Sequence, residues 1–205
     1  MRLGRIVWAA VLAGGGAAIG HAALRTEDGR ELDENLCKAA NAQRSESADR
    51  MFGAITEAGS LYAVGAAAVA LGMLGRRREG ARALAGAATT WLALQGLKQA
   101  VERPRPFAAD PGGTRRMIAE PHGTSWPSSH PAVLTTFGRI AARELGVGPA
   151  GRSLLTALDL GVATSRVTLG VHYPSDVASG LLFGRGMARL WPRGRRAGGR
   201  SERRR

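Results

Sequence analysis

Two histidines are the side chains of this sequence best suited to covalent chemistry. His172 lies four residues before Asp176, so on a helix the two side chains share a face, and the carboxylate can hold one ring nitrogen. The other ring nitrogen is then free to attack, following the logic by which a catalytic triad orients its histidine. His130 remains as a separate group that can protonate a leaving oxygen. The pattern indicates nucleophilic displacement by an imidazole.

Three cationic residues accompany the histidines and indicate a phosphate as the group under attack. They are Lys98, Arg105 and Arg166. A phosphoryl group carries about two negative charges near neutral pH; arginine binds it through a planar fork, and lysine adds a point charge. Ser128 and Ser129 precede a predicted helix start, where free backbone N–H groups favour an anion.

All of these residues fall in three short motifs: Lys98 with Arg105-Pro106 after six intervening residues, Pro127-Ser128-Ser129-His130, and Ser165-Arg166 followed by His172 and Asp176. In this order and at these spacings the motifs resemble the signature of the type 2 phosphatidic acid phosphatase (PAP2) superfamily, which includes lipid phosphate phosphatases and vanadium haloperoxidases. The family pattern is Lys-x6-Arg-Pro, Pro-Ser-Gly-His and Ser-Arg-x5-His-x3-Asp. The resemblance covers roughly Met51 to Trp191, and its one departure is Ser129, where the family has glycine.

The resemblance implies a role for each motif residue. His172 attacks phosphorus and becomes a phosphohistidine, Asp176 orients it, and His130 protonates the leaving group and then activates water. The residues implied to hold or position the phosphate are Lys98, Arg105, Ser128, Ser129, Ser165 and Arg166. No metal ion and no other cofactor is expected, and the motifs contain no carboxylate grouping that would suit magnesium.

Composition and hydropathy predict a small helical membrane protein. The chain has 205 residues, a net charge of +13 and only 5% aromatic residues, and small apolar residues of the kind that pack helices closely in lipid are abundant. Residues 6–24 and 58–75 are uncharged and long enough to span a bilayer. Four further apolar runs, at 83–97, 131–142, 154–164 and 177–190, are shorter or interrupted by charges. We therefore expect an all-α integral-membrane bundle of about six transmembrane helices with a PAP2/haloperoxidase-like core.

The placement of cationic residues predicts the orientation of this bundle. Arginines gather at the start of the chain, after the second apolar run, between the fourth and fifth runs, and at the end. If six helices cross the membrane, these clusters share one side, which the positive-inside rule makes cytoplasmic. The motif-bearing loops at 98–127 and 165–176 then face outward. We predict a multi-pass protein of the cell (inner) membrane with an extracytoplasmic active site and a cytoplasmic C-terminal tail.

The chain divides into three predicted segments. Residues 1–52 hold a first transmembrane helix and a polar interfacial segment in which Leu32 and Leu36 recur at helical spacing; residues 53–192 hold the phosphatase core, and residues 193–205 form a disordered basic tail. The first apolar run also fits a signal peptide, although the later hydrophobic segments favour a retained helix. Asp159 interrupts an apolar run and is expected to face the bundle interior beside a polar partner.

The predicted activity is metal-independent hydrolysis of a membrane lipid phosphate or diphosphate. The candidate substrates are a polyprenyl phosphate or diphosphate, phosphatidate and phosphatidylglycerophosphate, with undecaprenyl-diphosphatase-like activity considered first. Two alternatives keep the same pocket: a vanadium haloperoxidase, and a secreted acid phosphatase if the first apolar run is removed. A third is a non-enzymatic basic protein that binds nucleic acid or anionic lipid. The expected partners are the lipid substrate and the membrane, without nucleic acid; the oligomeric state and the choice between monoester and diphosphate stay open.

Overall fold

The computed structural model describes residues 2–42 and 45–194, and within these residues the chain forms nine helices and no strand. The helices are α1 (Arg2–Arg25), α2 (Glu27–Asn41), α3 (Glu46–Glu57), α4 (Leu61–Met73), α5 (Arg77–Val101), α6 (Pro106–Ala109), α7 (Ser129–Glu144), α8 (Pro149–Thr168) and α9 (Pro174–Leu190). The predicted all-helical class is confirmed. The division into three segments stays a prediction, and residues 195–205 of the predicted basic tail lie outside the described residues.

Local sequence signals set the boundaries of these helices. The side chains of Thr26, Ser45 and Ser60 each accept a hydrogen bond from a backbone N–H in the first turn of the helix that follows. Proline occupies the first turn of α6, α8 and α9, where its missing N–H leaves no hydrogen bond unmade. Glycines in the left-handed region follow the ends of three helices, α4, α7 and α8: Gly75, Gly146 and Gly170.

The apolar run at residues 58–75 does not form one continuous helix. α3 ends at Glu57, α4 begins at Leu61, and the two helices are bent by 58°. Ser60 starts α4 by capping it, because a serine side chain offers the backbone an alternative to continuing the previous helix. Gly59 lies at the bend, where a Cβ atom would be 3.0 Å from the Cβ of His130. The break therefore lets the chain pack closely against one of the two motif histidines.

The predicted number of transmembrane helices is not confirmed. By length and hydropathy, residues 3–25 of α1 qualify as a span, and the bent pair of α3 and α4 would supply a second among the described residues. α7 and α9 have 16 and 17 residues, fewer than the about 20 apolar residues that cross a bilayer unaided. α8 carries Asp159 and Arg166, both buried. The count of about six therefore stays a prediction.

α7 and α9, which carry two of the three motifs, pack through small residues. Gly180 and Gly184 lie one helical turn apart on α9 and face the backbone of Ser128 and Ala132 on α7. A Cβ atom at either glycine would overlap a carbonyl oxygen of α7. This is the small-xxx-small arrangement by which membrane helices approach closely, and it fixes the start of α7 against α9.

α1 also packs along α9, through α9 residues that differ from those in contact with α7. Arg5 donates hydrogen bonds to the carbonyl oxygens of Arg189 and Trp191 at 2.8 and 2.6 Å. Further along, Ser179 donates its hydroxyl to the carbonyl oxygen of Gly16 at 2.8 Å and accepts a hydrogen bond from the indole N–H of Trp126 at 3.0 Å. These contacts tie α1 to both ends of the helix that carries Asp176.

α2 turns an apolar face outward and a polar face toward the bundle. Leu32 and Leu36 are 60% and 49% exposed, and the predicted interfacial position of this segment stays a prediction. Asp33, Cys37 and Asn41 recur every four residues on the other face, and all three are buried. The inward face is therefore available to contact the polar residues at this end of the bundle.

Candidate active site

His172 lies in the short loop between α8 and α9, bounded by Gly170 at φ 75° and by Pro174 in the first turn of α9. The side chain is 2% exposed, and its Nδ1 lies 3.4 Å from Oδ2 of Asp176. Its other ring nitrogen, Nε2, lies 3.2 Å from Nη1 of Arg105. An Nδ1–H that donates to the carboxylate leaves Nε2 with the lone pair that a nucleophile needs.

The surroundings of His172 keep its imidazole neutral. Burial lowers its pKa well below the ordinary value, because a buried site disfavours the charged form. Arg105, Arg166 and Lys98 lower that pKa further by repelling an added proton, and so does His130. Arg105 is in direct contact with the ring, since its Nη1 lies 3.2 Å from Nε2. The structure therefore brings residues of all three motifs to one end of the bundle.

The three motif cations are buried, and none of them forms an ion pair with a carboxylate of the described residues. Lys98 donates from Nζ to the carbonyl oxygens of Thr124 and Ser125 at 2.5 and 3.3 Å. Arg105 donates to the carbonyl oxygen of Val171 at 2.8 Å. Buried charges are normally paired, so three cations held only by neutral groups indicate a place for an anion.

Arg166 lacks a hydrogen-bond acceptor for one of its own nitrogen atoms. Its Nη1 donates to the hydroxyl of Thr56 on α3 at 3.2 Å, whereas its Nε is buried and has no hydrogen-bond partner. Buried polar groups in native structures are nearly always hydrogen-bonded, and each exception needs an explanation. An incoming phosphate oxygen would supply the missing acceptor.

Ser128 and Ser129 place two further unsatisfied groups beside these cations. Both hydroxyls are buried and have no partner. Ser128 caps α7 without using its side chain, and its backbone N–H donates to the carbonyl oxygen of Asp176 at 3.0 Å. The hydroxyls and the first-turn N–H groups of α7 are thus free to meet an anion, as the sequence predicts.

Ser165 is placed differently from the other predicted phosphate ligands. It is fully buried on α8, and its hydroxyl already donates to the carbonyl oxygen of Val162 at 2.7 Å. The proton of this hydroxyl is therefore committed within its own helix. Ser165 fills space beside Arg166 and does not offer the pocket a free donor.

Arg103 and Asp33 belong to the site, although the motifs do not include them. Arg103 is 6% exposed and donates from Nη1 to Asp176 and from Nη2 to Asp33, both at 2.7 Å. Asp33 also accepts from the backbone N–H of Ser175 at 2.9 Å. The guanidinium thus ties the carboxylate that faces His172 to α2. The sequence does carry a signal for Asp33. Asp33, Cys37 and Asn41 recur every four residues and therefore share one face of α2, which is not the face of its leucines.

Asp176 receives enough hydrogen bonds to hold its carboxylate in one orientation. Oδ1 accepts from Arg103, while Oδ2 accepts from the backbone N–H of Tyr173 at 2.9 Å and from the hydroxyl of Ser125. Asp176 is fully buried in the first turn of α9, where the helix dipole also favours negative charge. A carboxylate fixed in this way can in turn fix the imidazole of His172.

A cavity of about 500 Å³ lies next to the site and is lined in part by Arg103 and Arg105. Pro104 and Phe107 contribute apolar surface to it, and Glu102 and Glu120 contribute carboxylates. In the described part of the chain, no three His, Cys, Asp or Glu side chains converge as ligands of a metal ion would. The expected independence of metal stays a prediction.

The comparisons with known proteins agree with the motif pattern. The sequence model of the PAP2 superfamily matches residues 79–199, which is more than half of the chain. A decaprenylphosphoryl-5-phosphoribose phosphatase from Mycolicibacterium smegmatis is 36% identical over 115 residues, covering 56% of this chain and 59% of the relative. The protein of the same name from Mycobacterium tuberculosis is 36% identical over 109 residues, covering 53% of this chain and 57% of the relative. The match thus spans somewhat over half the length of these curated relatives.

Two solved structures share the fold. A transmembrane PAP2-type phosphatidylglycerolphosphate phosphatase from Bacillus subtilis has a TM-score of 0.67 at 23% identity, covering 92% of each chain. LpxE from Aquifex aeolicus has a TM-score of 0.66 at 22% identity, covering 75% of this chain and 90% of its own. At this identity the likeness establishes the fold alone, and it is a fold found in a membrane protein. With the match over residues 79–199 and the three motifs gathered around one buried imidazole, the chain belongs to the PAP2 superfamily.

Proposed function

We propose that this chain is a membrane lipid phosphate phosphatase in which His172 attacks the phosphorus atom. One observation carries the proposal: a buried, neutral, carboxylate-oriented imidazole lies among three buried cations that have no ion-pair partner. A phosphate ester supplies both the missing negative charge and the electrophile. The lipid nature of the substrate is supported by the membrane fold and by the names of the relatives.

In the first half-reaction, Nε2 of His172 forms a bond to phosphorus while the bond from phosphorus to the ester oxygen breaks. Burial and the neighbouring cations lower the pKa of His130 to about 3, and the negative charge of a bound phosphate raises it again, so that His130 takes up a proton when the substrate binds. His130 then gives this proton to the departing oxygen, and the lipid leaves as an alcohol. Lys98, Arg105 and Arg166 balance the charge on the phosphoryl oxygens, which is the main task of the protein in phosphoryl transfer. The products of this step are the dephosphorylated lipid and a phosphohistidine.

In the second half-reaction, water attacks the phosphohistidine and releases inorganic phosphate. His130, now deprotonated, takes a proton from that water as the nitrogen–phosphorus bond breaks, and both histidines return to their starting state. Arg105 must change partners during the cycle, because its Nη1 donates to Nε2 of His172, the atom that attacks phosphorus. Binding of a phosphate moves this donor to a phosphate oxygen and exposes the Nε2 lone pair.

The substrate class that we propose is a polyprenyl-linked phosphate monoester. The two relatives are named for a decaprenyl-linked phosphoribose, and their matched segments share 36% of residues with this chain. The cavity lined in part by Arg105 supports a sugar next to the phosphate, since Glu102 and Glu120 in its lining can accept hydrogen bonds from hydroxyl groups. Undecaprenyl diphosphate and phosphatidylglycerophosphate are the competing substrates of the same site.

The experiment is phosphate release by the purified full chain in detergent, with and without EDTA. The substrates are decaprenylphosphoryl-5-phosphoribose, undecaprenyl diphosphate, phosphatidylglycerophosphate and phosphatidate. We expect the highest kcat/KM for the phosphoribose lipid, no activity in His172→Ala, and unchanged activity in the control His21→Ala, because His21 is exposed on α1. Activity that survives His172→Ala would refute the assignment of the nucleophile.

The covalent intermediate has its own test. His130→Ala should still form the phosphohistidine from a substrate with a good leaving group, such as 4-nitrophenyl phosphate, since that oxygen needs no proton to depart. Its hydrolysis should be slow, because the base for water is missing. We expect acid-labile, base-stable label on His172 from radioactive phosphate ester, visible in His130→Ala and absent in His172→Ala.

We further propose that the site faces the extracytoplasmic side of the cell membrane. Cys37 is the sole cysteine of the sequence and is buried, so a cysteine introduced elsewhere reports without background. Gly112 lies exposed in the motif-bearing loop, and a Cβ atom there would have no neighbour within 4 Å. A membrane-impermeant maleimide should label Gly112→Cys in intact cells. Labelling only after the cells are opened would place this loop in the cytoplasm.

A further inference from the structure

A second cavity lies between α1, α7, α8 and α9, at the end of the bundle opposite His172. Its volume is about 420 Å³, and among its described lining residues seven are arginine and one, Asp159, is acidic. The arginines come from all four helices; those used below are Arg139, Arg143, Arg152, Arg185 and Arg189. We call this the arginine cavity.

The arginine cavity is distinct from the candidate active site. On α7, Arg139 follows Ser129 by ten residues, which corresponds to about 15 Å along a helix. On α9, Arg189 follows Asp176 by thirteen residues, or about 20 Å. No residue that lines this cavity belongs to the three motifs. A ligand bound here would therefore not occupy the phosphoryl-transfer site.

Three guanidinium groups in this cavity have a buried Nε atom without a hydrogen-bond acceptor: those of Arg139, Arg143 and Arg185. Arg139 and Arg185 are half-buried, their Nε atoms are buried without an acceptor, and neither forms an ion pair within 4.0 Å among the described residues. Arg143 donates to the carbonyl oxygen of Ala188 at 2.9 Å and to Glu144 at 3.3 Å, yet its Nε is also unsatisfied. The buried carboxylate of Asp159 cannot balance seven cations.

Orienting the chain in a membrane does not require this arrangement. The positive-inside rule needs arginines in loops, where water solvates them. Here Arg139 and Arg185, which are helical, line a cavity, and their Nε donors are buried away from solvent. Burying a charged donor without an acceptor costs free energy, so an acceptor is expected in the cavity. The cavity also presents leucine side chains, Leu12 and Leu155, beside the cations. Cationic and apolar surfaces thus meet at one site between membrane-type helices.

We propose that the arginine cavity is a second anion site, which binds a phosphate group presented either by an anionic phospholipid headgroup or by inorganic phosphate. Arginine forks match phosphate oxygens in pairs, and converging forks from α7 and α9 would close around one phosphate. Basic pockets between membrane helices are a known way to hold anionic lipid headgroups. The neighbouring leucines suit the first carbons of an acyl chain.

The test measures binding to the purified full chain in detergent by native mass spectrometry and by thermal unfolding. Probes are dioleoyl phosphatidylglycerol, dioleoyl phosphatidylcholine as the neutral control, and inorganic phosphate. Every measurement is made in the Arg166→Gln background, which weakens anion binding at the candidate active site and is the same for all variants compared. Because binding and not turnover is read out, the result does not depend on whether the proposed phosphatase activity is found.

The decisive variant is Arg139→Gln with Arg185→Gln, and its matched control is Arg77→Gln with Arg78→Gln, which removes two exposed arginines outside the cavity. We expect the cavity variant to weaken binding about tenfold or more, since each lost charge-assisted hydrogen bond is substantial, and the control to change it less than twofold. Saturable binding of phosphatidylglycerol over phosphatidylcholine assigns the lipid source, and saturable binding of inorganic phosphate alone assigns the free ion. Equal losses in the two variants, or no saturable binding, would overturn the proposal.

A second variant keeps the test decisive if the double substitution fails to fold. Asp159→Asn removes the single acidic side chain of the lining while leaving every arginine in place. Because that carboxylate repels an incoming anion, its removal should tighten binding about threefold to tenfold. Unchanged or weaker binding in Asp159→Asn would show that the cavity does not take an anion.

Discussion

Replacing Arg103 by glutamine removes the cation that two buried carboxylates share. Arg103 lies 2.7 Å from both Asp176 and Asp33, and none of the three side chains is more than 6% exposed. Removing one partner of a buried pair leaves an uncompensated charge and typically costs about 3–5 kcal/mol. For a chain of this length that loss corresponds to a fall in Tm of about 6–20 °C. Turnover should fall as well, because Asp176 loses a hydrogen bond that fixes it toward His172.

A double variant separates the two effects. Adding Asp33→Asn to Arg103→Gln removes one of the two orphaned carboxylates, so most of the lost Tm should return. The kcat value should stay about 10²-fold low with KM little changed, because Asp176 still lacks its guanidinium partner and a small misplacement of a catalytic group is costly. Purified variants are compared by thermal unfolding in detergent and by initial rates of phosphate release.

The control for this pair is Arg115→Gln. Arg115 forms an ion pair with Asp49 at 2.9 Å, and its side chain is 44% exposed, so the expected loss is below about 1 kcal/mol and turnover should be unaffected. If Arg103→Gln kept kcat within twofold of the unaltered chain, Arg103 would not position Asp176. If the double variant recovered stability and turnover together, the role of Arg103 would be confined to folding.

Three other changes test the packing, the electrostatics and the metal independence of the site. Gly180→Ala presses a methyl group against the carbonyl oxygen of Ser128, and should cost about 1–3 kcal/mol of stability and lower kcat/KM at least about tenfold. The control is Gly96→Ala, where the methyl group meets open space, and it should change neither stability nor kcat/KM. Arg105→Met removes a cation that lowers the pKa of His172, so that pKa should rise. Because only the neutral imidazole attacks, the acid limb of the kcat/KM profile should move to higher pH. An acid limb that stays in place or moves to lower pH would contradict this. Chelation with EDTA should leave turnover unchanged, and a loss restored by magnesium would refute the metal-free mechanism.

The residues of the candidate site can be proposed from the sequence because the signal is local, and their roles stay a prediction. The four-residue spacing of His172 and Asp176 and the run of Ser128, Ser129 and His130 before a helix are each readable within a few positions. Ser165 shows the limit of such matching. A motif position does not reveal that its hydroxyl is already committed to the carbonyl oxygen of Val162, since that depends on the local rotamer.

The contact between Arg103 and Asp33 could not be predicted, because it joins residues that are seventy positions apart. Hydropathy draws attention to Leu32 and Leu36 on α2, which face outward, and passes over the polar face that carries Asp33. In a soluble protein the apolar face of a helix normally points inward. At a lipid interface that rule is reversed, so hydropathy alone does not identify the residues that contact the site.

The boundary between α3 and α4 also could not be predicted from hydropathy alone. Residues 58–75 are uncharged throughout, yet they do not extend α3. That helix ends at Glu57, and the new helix α4 begins at Leu61. The cap at Ser60 is a local signal, whereas the close approach of Gly59 to His130 is a tertiary contact made at the bend. A prediction made from mean hydropathy does not include a contact of this kind, so it gives one span where the structure has a bend.

α7 and α9 carry parts of both anion sites, and this makes the contact between them consequential. α7 begins with the serines of the candidate active site and continues to Arg139; α9 begins with Asp176 and continues to Arg185. Gly180 and Gly184 hold the two helices together between those ends, at a separation that admits no additional atom. Close-packed helices move as rigid units and do not bend residue by residue. The contacts of Gly180 and Gly184 therefore fix the separation of the two helices between the candidate active site and the arginine cavity.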